Sequence, residues 1–172
     1  MIIVVMGVSG SGKTTVGRCL ADALDWHFVE GDDWHPSSNV AKMSRGIPLT
    51  DHDRWPWLLR LRDHMRERLL QQQSAIVTCS TLKQSYREVL RPDANEPIQF
   101  VYLKGNAATL RMRLQQRHNH FMKADLLDSQ LATLEEPADA IVIDIDIATT
   151  PAQVVTHVIS QLNFAHRAEI HS

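Results

Sequence analysis

The strongest constraint on the fold is a glycine-rich loop that directly follows an apolar run at the start of the chain. Residues 2–6 are Ile-Ile-Val-Val-Met, and residues 7–14 read Gly-Val-Ser-Gly-Ser-Gly-Lys-Thr. This is the complete phosphate-loop pattern G-x-x-x-x-G-K-[ST], which requires a buried strand before it and a helix after it. Residues 13–24 carry apolar side chains at helical spacing. The segment therefore predicts a strand, a phosphate-binding loop and a helix, together holding a nucleoside triphosphate.

Each residue type in this loop has a chemical role. The glycines allow successive backbone N–H groups to turn inward around phosphate oxygens. Lys13 adds a positive charge at the β- and γ-phosphates, and the Thr14 hydroxyl is the predicted Mg²⁺ ligand. The nucleotide contacts predicted in and just after the loop are Gly7, Val8, Ser9, Gly10, Ser11, Gly12, Lys13, Thr14 and Thr15.

Length and charge limit the class of protein. The 172 residues are enough for one domain, and the net charge of −2 gives no long-range attraction to nucleic acid or to a membrane. We therefore expect a small-molecule partner, with no nucleic acid and no membrane involved. The two cysteines, Cys19 and Cys79, lie in predicted core elements, which favours a reducing cytoplasm. A removable signal peptide is not expected, because the first apolar run enters the phosphate loop at once.

Apolar, β-branched runs alternate with segments of helical periodicity along the chain. The predicted strands are 2–6, 27–30, 75–79, 98–103 and 140–145. The predicted helices are 13–24, 55–72, 83–91, 106–117 and 151–162. This alternation predicts a three-layer α/β/α fold with a five-stranded parallel sheet in a single domain spanning residues 1–172. Ligands bind outside the carboxyl ends of such strands, where residues 30–36 and 80–87 join the phosphate loop.

Two large classes of phosphate-loop protein are excluded by missing motifs. A regulatory GTPase needs an Asp-x-x-Gly switch and an Asn-Lys-x-Asp guanine reader, and neither string is present. A large ATPase motor needs a strand that ends in a metal-binding acid, whereas the runs 75–79 and 98–103 are followed by Ser80 and Lys104. A small phosphotransferase remains.

Several longer strings then resemble one family. Residues 30–36 read Glu-Gly-Asp-Asp-Trp-His-Pro, and residues 48–54 read Pro-Leu-Thr-Asp-His-Asp-Arg. Residues 79–87 read Cys-Ser-Thr-Leu-Lys-Gln-Ser-Tyr-Arg, and residues 126–130 read Leu-Leu-Asp-Ser-Gln. In this order, and with the phosphate loop, the chain resembles the gluconokinase family to about residue 160. The resemblance implies ATP- and Mg²⁺-dependent phosphorylation of the 6-hydroxyl of D-gluconate. It also implies a nucleoside-monophosphate-kinase-like fold with a mobile lid at about 117–130, a substrate-binding insertion at about 33–73, and often a homodimer.

Candidate acceptor-site residues follow the second strand. Phosphoryl transfer needs cations around the γ-phosphate and a carboxylate near the accepting hydroxyl, so Lys13 and Asp32 are predicted catalytic residues. Alternatively, Asp33 supplies this carboxylate, or Asp32 or Asp33 caps the next helix or holds Mg²⁺ through water. His35 is predicted to bind the substrate, or else to fix the shape of the loop. Arg54 is predicted to pair bidentately with the substrate carboxylate, unless it belongs to a solvated helix face.

Further cations are predicted on two other helices. Ser80 is expected to cap a helix beginning near Leu82, with Lys83 and Arg87 on one face as substrate contacts or as exposed charges. Arg113 and Arg117 end the helix 106–117. Arg117 is the predicted catalytic phosphate contact, and Arg113 either stacks on adenine or stays in solvent.

His120 is a predicted substrate contact that closes over the acceptor, although histidines in surface loops are commoner than catalytic ones. Shikimate, a nucleoside monophosphate or another sugar acid remains an alternative acceptor. A non-catalytic ATP-dependent sensor would require the loss of Asp32 or of the lid arginine, and neither is missing.

Overall fold

A single parallel sheet forms the centre of the molecule. The computed structural model describes residues 1–116, 125–146 and 148–170. For residues 125, 126 and 163–170 it describes the backbone alone. The strands are β1 (Ile2–Met6), β2 (His27–Glu30), β3 (Ala75–Thr78), β4 (Ile98–Gly105) and β5 (Ile141–Ile145). Their spatial order is β2-β3-β1-β4-β5, and every pairing is parallel. The predicted five-stranded parallel sheet is confirmed.

Helices cover both faces of this sheet. They are α1 (Lys13–Leu24), α2 (Ser37–Ser44), α3 (Asp51–Leu70), α4 (Gln84–Leu90), α5 (Ala107–Gln115), α6 (Asp125–Thr133) and α7 (Pro151–Ile170). A 3₁₀ turn, Gly31–Trp34, directly follows β2. Within the residues just described, no helix is long and apolar enough to span a bilayer.

The central strand β1 is buried on both sides, and its side chains alternate between two cores. Val4 and Met6 join a core that contains Trp57 and Tyr86, whereas Ile3 and Val5 pack with apolar residues of α1 and α7. Because successive strand residues point to opposite faces, a continuous apolar run is what a strand between two helical layers requires. The three-layer prediction is confirmed by this division.

Several helices differ from the prediction. The helix predicted from residue 55 starts four residues earlier, because Thr50 and Asp53 form a capping box at its N-terminus. The helices α2 and α6 were not predicted. The first turn of α2 has no side-chain cap, since the N-cap residue is Pro36. Ser80 was expected to cap α4, but this is wrong, because the helix starts at Gln84 with Lys83 as its N-cap.

Candidate active site

The phosphate loop has the backbone geometry that anion binding requires. Gly7 and Gly12 have φ of 139° and 93°, a region that residues with a side chain rarely adopt. A Cβ at Gly7 would also lie 2.8 Å from the carbonyl oxygen of Leu103. Lys13 Nζ donates a hydrogen bond of 3.2 Å to the carbonyl of Val8, which brings the ammonium group back across the loop. This arrangement presents backbone amides and a cation at the N-terminus of α1, where anions bind.

One buried polar atom in the loop supports phosphate binding directly. The Ser11 hydroxyl is buried and makes no hydrogen bond within the described part of the chain. A buried hydroxyl is rarely left without a partner. A phosphate oxygen is an acceptor of suitable type and size, so the loop residues fit a nucleotide.

A groove beside the loop extends toward α7. Its volume is about 310 Å³, and it is lined by residues of the loop, by Arg113 and by the segment before α7. Arg113 donates a hydrogen bond to the carbonyl of Asp146 on the same side of the sheet. The groove falls within the size range of small-ligand pockets. Arg113 thus lies next to the phosphate loop, and its contact with the nucleotide stays a prediction.

A second, smaller cleft opens between the 3₁₀ turn, α2, α3 and α6. We call it the Asp32 cleft, and its interior volume is about 30 Å³. Its lining residues are Asp32, His35, Met43, Ile47, Pro48, Leu49, Arg54, Trp57, Ser80, Ser129 and Gln130. Three of the predicted substrate contacts, Asp32, His35 and Arg54, therefore share one cleft.

The Asp32 cleft lies close to the phosphate loop. The Asp32 carboxylate, the Lys13 ammonium and the Arg54 guanidinium all act on Cys79, the first residue after β3. Burial is the main reason that the pKa of this thiol is raised to about 12. Cys79 is therefore an inert core residue, and the charges of the acid and of both cations reach it.

Gly31 determines where Asp32 lies. Its N–H donates to Thr78 Oγ1 at 3.1 Å, and its carbonyl accepts a hydrogen bond of 2.8 Å from Trp57 Nε1. A Cβ at this position would lie 1.9 Å from the carbonyl oxygen of Thr78. Only glycine allows the chain to pass this close to β3, so the turn that carries Asp32 is anchored from both sides.

His35 is half-buried and uncharged in the Asp32 cleft. Its ring stacks on Trp57 with 3.9 Å between centroids. Burial, together with the positive charge of Arg54, lowers the pKa of His35 to about 4. At neutral pH the side chain is therefore a neutral imidazole, with one donor and one acceptor nitrogen.

This lowered pKa predicts a loss of stability in acid. The pKa of His35 in the folded protein lies below the ordinary value of about 6.5, so its contribution is complete above that pH and is lost as the pH falls toward 4. We expect a loss of about 2 kcal/mol in unfolding free energy at pH about 5, measured by urea denaturation. A His35→Gln variant is the control, and an identical acid dependence in that variant would contradict the prediction.

Arg54, Tyr86, Asp51 and Lys83 form a connected cluster beside the cleft. Arg54 Nη1 donates to the Tyr86 hydroxyl at 3.3 Å, and this hydroxyl donates to Asp51 Oδ1 at 2.5 Å. Lys83 Nζ contacts both carboxylate oxygens of Asp51 at 2.8 Å. The hydrogen bonds from Lys83 and then Tyr86 lower the pKa of Asp51. The cluster holds Arg54 toward the cleft and ties Lys83 to α3.

Arg87 has a different position from Lys83, although the two were predicted on one face. It is buried, and its Nη1 donates to the carbonyls of Thr81 and Glu135 at 3.1 and 2.9 Å. Burial lowers the pKa of this guanidinium. Arg87 is absent from the lining of the Asp32 cleft. The structure therefore places Arg87 as a link between α4 and the segment after α6, and does not support the predicted substrate contact.

Two predicted residues, Arg117 and His120, lie outside the described residues, as does the first half of the predicted lid at 117–130. The second half lies within α6, whose residues Ser129 and Gln130 line the Asp32 cleft.

Comparison with known proteins decides the family. A curated gluconokinase from Gluconobacter oxydans (strain 621H) is 57% identical to this chain over 137 residues, covering 80% of this chain and 76% of the relative. The chain belongs to the gluconokinase family. A family profile, AAA_33, described as an AAA domain, also matches residues 2–137.

Crystal structures within and near the gluconokinase family share the fold closely. A gluconokinase from Sinorhizobium meliloti 1021 has a TM-score of 0.84 and 44% identity, covering 99% of this chain and 96% of its own. An unliganded sugar kinase from Janibacter sp. HTCC2649 has a TM-score of 0.86 and 45% identity, covering 94% of both chains. The α/β phosphate-loop kinase fold predicted from the sequence is confirmed.

Gln130 is a site residue of this gluconokinase-family chain that the sequence prediction missed. Its Oε1 accepts a hydrogen bond of 2.7 Å from the backbone N–H of Ser9, although the two residues are 121 positions apart. Gln130 is 8% exposed and also lines the Asp32 cleft. It therefore connects the phosphate loop to that cleft. Its only signal in the sequence was its place at the end of the family-like string 126–130.

Removing this link should destabilise the loop. In a Gln130→Ala variant the buried N–H of Ser9 loses its acceptor, so we expect a loss of about 1–3 kcal/mol in unfolding free energy. Urea denaturation measures the loss, with Gln115→Ala on the exposed end of α5 as the control. Equal stability of the two variants would show that the Gln130 hydrogen bond is dispensable.

Proposed function

We propose that this chain transfers the γ-phosphoryl group of ATP to the 6-hydroxyl of D-gluconate, giving 6-phospho-D-gluconate. The observation that carries the proposal is the Asp32 cleft, which combines a carboxylate, an imidazole and a guanidinium beside a phosphate loop. The Asp32 cleft occurs in a chain that is 57% identical to a protein named gluconokinase.

Asp32 is the proposed partner of the accepting hydroxyl. It lines the cleft at the carboxyl end of β2, and Gly31 holds its backbone against β3. From this position the carboxylate orients the substrate hydroxyl and accepts its proton as the new P–O bond forms. Lys13, whose ammonium group bonds back to the Val8 carbonyl of the loop, stabilises the negative charge on the transferring phosphoryl group.

Arg54 and His35 are the proposed binding groups for the rest of the acceptor. Gluconate carries a carboxylate, for which the guanidinium fork is geometrically suited. Arg54 donates one N–H to the Tyr86 hydroxyl. Because a guanidinium has five N–H donors, it can bind a carboxylate as well. Lys83 lies at the edge of this group, paired with Asp51, and adds positive charge near the cleft. A polyhydroxylated acid matches this combination of cations and hydrogen-bonding groups better than a planar base, which favours an apolar slot.

The nucleotide side of the proposal uses the loop and the groove next to it. Loop amides 7–15 hold the phosphates, Arg113 contacts the nucleoside from α5, and the Thr14 hydroxyl is the proposed Mg²⁺ ligand. Mg²⁺ keeps several ligands from water and phosphate oxygens, so one protein hydroxyl is consistent with its chemistry. When bound, the ion neutralises charge on the β- and γ-phosphates.

Three further parts of the proposal come from the family resemblance. Arg117 and His120 would close over the substrates in a lid at about 117–130, excluding water from the transferred group. The active form would be a homodimer in the cytoplasm. The cytoplasmic location is supported by the two unpaired cysteines, Cys19 and Cys79.

A coupled assay of ADP release tests the function. ATP and Mg²⁺ are supplied with gluconate, shikimate, glucose or AMP in separate reactions, and the phosphorylated product is identified by mass spectrometry. We expect ADP release only with gluconate, and its loss in a Lys13→Ala variant. Release with another acceptor alone, or without any acceptor, would overturn the gluconate assignment.

A further inference from the structure

A buried asparagine on α2 contacts the imidazole of His35, which lines the Asp32 cleft. Asn39 is 2% exposed. Its Nδ2 donates to the backbone carbonyl of Asp53 at 2.8 Å and lies 3.2 Å from His35 Nδ1. The side chain thus joins three elements, namely α2, the first turn of α3 and the residue that follows the 3₁₀ turn.

The Asp53 carbonyl determines the orientation of the Asn39 amide. A carbonyl oxygen only accepts hydrogen bonds, so the group facing it must be the NH₂ group and not the amide oxygen. The reverse orientation would place two acceptor oxygens 2.8 Å apart in a buried site. The second hydrogen of the same NH₂ group is then directed to His35.

This orientation determines the tautomer of His35. Because Asn39 is the donor, Nδ1 must be the unprotonated acceptor nitrogen of the ring, and the proton of the neutral imidazole is carried by Nε2. Protonation of both nitrogens is opposed by the burial of the ring and by the nearby guanidinium of Arg54. Within the described residues Nε2 has no protein partner, and the ring lines the Asp32 cleft.

We propose that Asn39 is a positioning residue that holds His35 in the Nε2–H form, so that His35 donates a hydrogen bond to an oxygen of the acceptor substrate. The cleft then has a defined pattern, with donors at His35 and Arg54 and an acceptor at Asp32. The substrate role in this inference rests on the proposed function, whereas the tautomer depends only on the fold.

The tautomer is measured first, in the substrate-free wild-type protein. Long-range ¹H–¹⁵N spectra of protein with labelled histidine distinguish a protonated from an unprotonated ring nitrogen. At neutral pH we expect His35 to show a protonated Nε2 and an unprotonated Nδ1. An Nδ1–H tautomer, or a doubly protonated ring, would overturn the inference without any need for a variant.

Two sets of variants test the role of Asn39 and of the donor. Asn39→Leu removes the amide at similar volume, and we expect mixed His35 tautomers and a rise of about tenfold in KM for gluconate, with KM for ATP unchanged. Ser38→Ala, at an exposed neighbouring position of α2, is the matched control. An unchanged tautomer in Asn39→Leu would overturn the proposed role.

Replacements of His35 itself keep the test decisive if Asn39→Leu does not fold. In His35→Gln the longer side chain brings its amide to the position of Nε2, whereas in His35→Asn the shorter side chain brings its amide only to that of Nδ1. We therefore expect His35→Gln to retain about tenfold more kcat/KM than His35→Asn. The opposite order would overturn the proposed donor. If the wild type shows the Nε2–H form but does not phosphorylate gluconate, the proposed function fails while the tautomer assignment stands.

Discussion

Replacement of Asp32 by asparagine is expected to lower kcat for gluconate phosphorylation by about 10²–10⁴-fold, the usual contribution of a general base. The amide keeps the size of the side chain, so the cleft and its lining stay intact while the proton acceptor is lost. KM for ATP should change little, because Asp32 lies in the cleft and not in the groove that extends from the loop toward α7. Steady-state kinetics with each substrate varied in turn provides the measurement.

Asp33→Asn is the matched control for this experiment. Asp33 is the neighbouring acid, but it is exposed and does not line the Asp32 cleft. We expect it to retain near wild-type kcat. A large loss in Asp33→Asn with full activity in Asp32→Asn would reassign the carboxylate to residue 33.

Replacement of Gly31 by alanine is expected to cause the largest structural damage of any single methyl addition in the site. The new Cβ would lie 1.9 Å from the backbone oxygen of Thr78, which no rotamer change relieves. Overpacking costs about 1–3 kcal/mol when side chains can shift, and here we expect about 3 kcal/mol or more. The turn must move away from β3 and carry Asp32 with it, so kcat should also fall about 100-fold.

Gly105→Ala is the control variant. It distinguishes the clash with the Thr78 carbonyl from the loss of stability that any glycine-to-alanine replacement in the sheet region would cause. The three atoms nearest to a Cβ at Gly105 would be side-chain atoms of Leu110 and Ile145, at 3.0–3.2 Å. These atoms can shift by a few tenths of an ångström, so a smaller loss of stability is expected. Thermal unfolding and kcat should be measured on both variants. Equal stability of Gly31→Ala and Gly105→Ala would mean that the contact with Thr78 is easily relaxed.

The sequence predicted the sheet well because its central strands β1 and β3 are short apolar runs that are fully buried between helices. It predicted the phosphate loop because the glycine pattern has few structural alternatives. It missed α2, which is short and polar and has no side-chain cap at Pro36. Helices of this kind are stabilised by tertiary contacts, such as the one from Asn39 to the carbonyl of Asp53, that no local pattern reveals.

The positions of Lys83 and Arg87 also show that a local sequence pattern does not determine the environment of a side chain. Lys83 and Arg87 have the spacing of one helix face, yet Lys83 precedes the helix and pairs with Asp51, while Arg87 is buried against backbone carbonyls. Their environments depend on α3 and on the segment after α6, which are distant in sequence. The link from Gln130 to Ser9 could not be found locally for the same reason.

The position of the proposed acceptor-binding groups has a consequence for how such a kinase changes its substrate. Asp32, His35 and Arg54 all lie in the one connection between the neighbouring strands β2 and β3, whereas the phosphate loop follows β1. Mutations that reshape this connection therefore act on the choice of alcohol without altering the residues that hold the triphosphate. In evolutionary terms, the two halves of the reaction are encoded in separate stretches of the gene, so new acceptors can be acquired while phosphoryl-donor chemistry is kept.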